Sequence, residues 1–82
     1  MMYAVWIKKG NQTEMIQFGY NSNEIETTYH GLVRAFCFTK NTVCVYFAEF
    51  SEDYLRDFPI FLVEKDILYK TQIINGKINR GW

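Results

Sequence analysis

The chain has 82 residues and a mass of 9.8 kDa, which is room for a single domain over residues 1–82 and excludes a second module. Nine Lys and Arg balance nine Asp and Glu, so the net positive charge that drives sequence-independent binding to phosphate backbones is missing. With 49% hydrophobic and 18% aromatic residues against 22% charged, the composition excludes a disordered tail and favours a packed fold.

The first segment reads as a hairpin. Tyr3, Val5 and Ile7 alternate with other residues, and after Gly10-Asn11-Gln12-Thr13 the pattern resumes at Ile16, Phe18 and Tyr20. Folding about Asn11-Gln12 sets Lys9 opposite Glu14, Ile7 opposite Ile16, Val5 opposite Phe18 and Tyr3 opposite Tyr20, so charge pairing and apolar pairing agree. Asn21-Ser22-Asn23 then offers helix caps, with Glu24 and Glu26 where carboxylates favour the helix dipole. Ile25, Tyr29, Leu32, Val33 and Phe36 have helical spacing, whereas Gly31 and Thr27-Thr28 weaken a long helix. The cysteines favour the shorter option: a turn at Thr39-Lys40-Asn41-Thr42 puts Cys37 opposite Cys44, Phe38 opposite Val43 and Phe36 opposite Val45. The expectation is a helix over residues 23–30 and strands over 33–38 and 43–50.

Val43-Cys44-Val45-Tyr46-Phe47-Ala48 is apolar on both faces, as suits a central strand. Ser51 precedes Glu52 and Asp53, with Tyr54, Leu55 and Phe58 following and Pro59 closing the segment, which predicts a short capped helix. Ile60–Val63 reads as a strand. Asn75-Gly76 is the strongest turn signal, because a type I′ turn needs positive φ at both centres. About it Ile73 faces Ile78 and Tyr69 faces Trp82. Together these elements predict an α+β fold: a small, mostly antiparallel β-sheet built from hairpins, with one or two short helices.

No catalytic constellation is legible. Two cysteines with six residues between them and one histidine, His30, do not make the paired four-ligand spacing of structural zinc, so no metal and no cofactor are expected. The opposed Cys37 and Cys44 could be bridged, but without an export signal two reduced thiols are the expectation. His30 has Glu26 four residues before it, the spacing of an ordinary ion-pair neighbour on a helix face. The glycines are scattered singly and form no phosphate loop. Val45–Phe50 resembles an RNA-recognition strand in its aromatics, yet lacks the basic and glycine residues expected before it, and nucleic acid is disfavoured as a partner. No apolar run reaches the roughly 18 residues of a membrane helix. The first nine residues place their lysines after the short apolar stretch, so neither membrane nor secretion is expected and the location predicted is the cytoplasm.

Seven Phe, six Tyr and two Trp are hard to hide in so small a domain, which buries only about 60% of the surface its unfolded chain exposes. Exposed aromatic surface marks a contact with another molecule. Charge is also uneven: residues 49–66 carry Glu49, Glu52, Asp53, Asp57, Glu64 and Asp66 against Arg56 and Lys65, a net −4. Residues 67–82 carry Lys70, Lys77 and Arg80, a net +3. An acidic patch interleaved with aromatics suits docking on a basic groove, and Glu49, Phe50, Glu52, Asp53, Tyr54 and Asp57 are the expected partner-binding residues. The plain alternative is that Tyr54, Leu55 and Phe58 fasten the short helix to the sheet while the acids solvate it. Plentiful Asn, Ile, Lys, Tyr and Phe beside rare Ala and a single Pro are a bias typical of AT-rich genomes, and compact chains of this size often come from a phage or mobile element. The expectation is a small non-enzymatic protein that binds another protein, such as a phage-encoded inhibitor of a host or defence enzyme. The competing expectation is a homo-oligomer holding a nucleotide or other metabolite between its subunits.

Overall fold

The computed structural model describes residues 1–51 and 67–79. They form β1 (Met2–Lys9), β2 (Gln12–Gly19), α1 (Ser22–Phe36), β3 (Val43–Phe50), β4 (Ile67–Ile74) and β5 (Lys77–Asn79). The strands make one antiparallel sheet in the order β2-β1-β3-β4-β5, with α1 across one face. The α+β class and the central place of β3 follow the sequence. Val43, Val45 and Phe47 enter one buried cluster and Ala48 and Phe50 another, so β3 is apolar on both sides because both of its faces are buried.

Alternation along β1 divides its side chains in the same way. Tyr3, Val5 and Ile7 join the helix-side cluster with Ile25, Tyr29, Val33 and Ile73, while Met2, Ala4 and Trp6 join Phe50 on the far side. Trp6 stacks on Tyr46 there, with centroids 5.2 Å apart. On the helix side Phe47 lies between Tyr3, at 6.0 Å, and Tyr69, at 5.4 Å.

The first hairpin forms in a different register. Its turn is Gly10-Asn11, not Asn11-Gln12, so Lys9 pairs with Gln12 and Ile7 with Glu14. Gly10 takes φ +58° while Asn11 keeps an ordinary φ, the signs of a type II′ turn, which suits strand twist and favours Gly at its first centre. A bulge then adds Ile16, after which Gln17 pairs with Val5, Phe18 with Ala4 and Gly19 with Tyr3. A one-residue slip exchanges the faces of a strand, and here Gln17 takes the helix side. Its amide donates to Glu24 Oε1 at 3.0 Å and its carbonyl oxygen accepts from the Thr28 hydroxyl.

The helix runs to Phe36, and the strand expected over 33–38 does not form. Asn21 is the cap, accepting from the Glu24 N–H at 3.1 Å. Ile25, Tyr29 and Val33 recur every four residues and are 1%, 4% and 6% exposed. Burying each is worth about 1.5–3 kcal/mol, more than the ~1 kcal/mol that mid-helix Gly31 costs. Thr27 and Thr28 donate back to the carbonyls of Asn23 and Glu24, at 2.7 and 3.3 Å, and so stay within the helix. The pairing of Cys37 with Cys44 falls with that strand: Cys37 caps α1, Cys44 lies opposite Lys8 and Gln72, and both thiols are free.

Tyr29 also places a hydroxyl in the core, hydrogen-bonded to that of Thr71, which is 2% exposed. Tyr29→Phe is expected to cost about 1–3 kcal/mol by leaving a buried hydroxyl without this partner. Urea denaturation of Tyr29→Phe, Thr71→Val and the double variant checks this: the double variant should lose less than the two single losses combined.

The second hairpin turns at Asn75-Gly76, with φ of +53° and +83°, and pairs Ile73 with Ile78 as its sequence predicts. The helical turns expected after Ser51, the strand Ile60–Val63 and the Tyr69–Trp82 pair involve positions outside the described residues. No helix among the described residues is long and apolar enough to cross a membrane.

Candidate interaction surfaces

Of the six residues expected to bind a partner, the structure describes two. Glu49 is half-buried on β3 opposite Tyr3. Phe50 is 2% exposed, packed with Met2, Ala4, Trp6 and Ala48, so its ring is core and not an exposed anchor. The reason is topological: β3 is central, and residue 50 falls on a buried face. Glu52, Asp53, Tyr54 and Asp57 lie outside the described residues.

Among the described residues, two other groups of exposed apolar side chains lie at the β2 edge and beside the end of α1. At the β2 edge the expected pairing of Ile16, Phe18 and Tyr20 with Ile7, Val5 and Tyr3 is replaced by the bulged register. Ile16, Phe18 and Tyr20 are 37%, 50% and 61% exposed. Glu14 is the sole charge on β2, and the strand contains neither Lys nor Pro.

The other place is a groove of about 310 Å³ between the C-terminal half of α1 and β5, lined by His30, Val33, Arg34, Cys37, Phe38 and Ile78. Phe38 is 86% exposed, the highest value among the exposed large hydrophobic residues described, and Ile78 is 47% exposed. His30 lies 3.9 Å from Glu26, as the four-residue spacing predicts. Reading residues 33–38 as a strand hid this groove, since it placed Phe38 opposite Val43. A second hollow of about 370 Å³ lies by the first hairpin and is lined by Ile7, Lys9, Gln12, Thr13 and Glu14. Lys9 there has its ammonium 5.4 Å from the centre of the Phe36 ring, so its charge is already engaged.

Among the described residues no three His, Cys, Asp or Glu side chains gather as a metal ion requires. Comparison with protein-family models, curated proteins and solved structures gave no match, so any reading of function rests on this chain's own geometry.

Proposed function

We propose that the protein acts by binding another protein, and that β2 receives an extended segment of that partner as an added strand. The observation that supports this is the β2 edge itself. Among the described residues β2 has a strand neighbour, β1, on one side only, and proteins ordinarily blunt such edges with Lys, Pro, short strands or bulges. The eight residues of β2 have one charge and one bulge. That bulge divides the edge into the stretch Gln12–Met15 and a shorter one beyond Ile16, and an added strand reads the longer stretch, with exposed Ile16 at its end. Main-chain hydrogen bonds then supply affinity and the exposed side chains supply selectivity.

In this proposal the chain is a cytoplasmic, non-enzymatic inhibitor that occupies the surface of its target. Its residue bias, typical of AT-rich genomes, favours a phage origin and a host or defence enzyme as that target. The test begins with a tagged chain recovered from bacterial lysate. A stoichiometric partner should be lost when Ile16→Lys and Phe18→Lys are combined, and in the complex hydrogen exchange should slow at the β2 amides. Retention by that variant, with loss instead on Glu52→Lys, Asp53→Lys and Asp57→Lys, would move the contact to the acidic segment. A dimer of the chain alone, abolished by the two β2 lysines, would make its partner a second copy of itself.

A further inference from the structure

We infer that the groove between α1 and β5 is a second recognition site, which takes an acidic peptide segment bearing one apolar side chain. Arg34 receives a carboxylate, and Phe38 with Ile78 receives the apolar anchor. The groove and the β2 edge lie toward opposite ends of the sheet order, so this inference stands apart from strand addition at β2.

The argument starts from Arg34. It stands in the last turn of α1, where a cation complements the helix dipole. The carbonyls there already have backbone donors: Cys37 N–H reaches the oxygens of Val33 and Arg34 at 3.2 Å each, and Phe38 N–H reaches Ala35 O at 3.1 Å. Thr39 serves Phe36 O through both its N–H, at 3.2 Å, and its hydroxyl, at 3.0 Å. Arg34 is therefore not needed to satisfy them. Among the described residues no carboxylate is within ion-pair distance of Arg34, and none lines the groove. An unpaired guanidinium beside an exposed aromatic ring has the composition of an interface hot spot. A carboxylate is the planar acceptor that its fork of donors matches.

Charge also selects the occupant. A second copy docked on this groove about a two-fold axis would bring two Arg34 side chains together, a like-charge contact with no carboxylate lining either groove. An acidic partner meets the opposite condition. The volume of about 310 Å³ takes one large apolar side chain with its neighbours on the rim, not a folded domain.

The test uses a displayed library of random heptapeptides selected against the intact chain. Selected peptides should be enriched in Asp or Glu next to Leu, Phe or Trp. Their affinity should fall at least about tenfold, the weight of one good charged contact, on Arg34→Glu. Phe38→Ser should weaken them similarly, since both residues are exposed and their replacement leaves the core intact. A bound peptide should slow alkylation of Cys37, which lines the groove, and leave Cys44 on β3 unaffected. The Ile16→Lys and Phe18→Lys variant should bind these peptides normally. Recovery of no binder, of binders lacking acidic residues, or of binders indifferent to Arg34→Glu would overturn the inference.

Discussion

Gly76→Ala is expected to lower stability by about 2–4 kcal/mol, combining roughly 1–2 kcal/mol for a left-handed alanine with roughly 1–3 kcal/mol of steric strain. Gly76 has φ +83°, and a Cβ built on it would stand 2.6 Å from the Thr39 carbonyl oxygen and 3.3 Å from that of Cys37. Both obstacles are backbone, in the segment that leaves α1, so neither can rotate away. The second hairpin and the end of the helix therefore meet at a position where only glycine fits. In a domain of this size the loss corresponds to about 10–20 °C in Tm. Two other glycines act as controls. Gly10→Ala has a positive φ but open space around it, so it should cost only about 1–2 kcal/mol. Gly31→Ala, mid-helix and unobstructed, should instead stabilise by up to about 1 kcal/mol. Thermal melts of the three variants decide the matter: equal losses at Gly76 and Gly10 would mean that the hairpin does not press on the helix exit in solution. Loosening that contact should also widen the groove, since Phe38 and Ile78 belong to the two segments it joins.

Phe47→Ala should cost more, about 3–5 kcal/mol, the range for deleting a buried ring and leaving a cavity. Phe47 is 2% exposed on the central strand and touches aromatic rings from β1, α1 and β4, with Tyr3, Tyr29 and Tyr69 at 6.0, 6.2 and 5.4 Å. Since a small domain has only about 5–15 kcal/mol in total, the variant is expected to approach the limit of folding at 37 °C. Urea denaturation with Phe18→Ala as reference gives the comparison. Phe18 is 50% exposed, so its removal should cost well under half as much. A loss below about 1 kcal/mol at Phe47 would contradict its place at the centre of the core.

The two proposed contacts, toward opposite ends of one sheet, make different demands on a partner. The β2 edge asks for backbone in extended form and is tolerant of side-chain identity. The groove asks for one negative charge beside one apolar group. A partner meeting both would present an extended segment and an acidic one, and two modest contacts on a single chain gain through effective concentration. Lysine substitutions on β2 and charge reversal at Arg34 separate these contributions.

Elements whose signals are local were legible in the residues. Asn75-Gly76 turns where it should because positive φ at two successive centres is a property of those two side chains alone. The alternation of β1, and the two-faced apolarity that makes β3 central, likewise follow from the order of the residues. So do the cap region before α1 and the His30–Glu26 neighbourhood. The fate of residues 31–38 was not legible: the helical cost of Gly31 and the two threonines is small and local, whereas the burial of Val33 on the sheet that outweighs it exists only in the assembled fold. The first hairpin slipped register for a related reason, since Gly10 and the bulge at Ile16 gave a ladder in which Gln17 could bond to the helix. Phe50 has the composition of a surface anchor, and only the central place of β3 puts it in the core. The groove is the extreme case, because Arg34 and Phe38 line a common hollow only when Ile78 is brought beside them by the sheet. Short-range conformational preferences are properties of neighbouring residues and can be read in order, but burial and charge complementarity belong to pairs that the fold alone brings together.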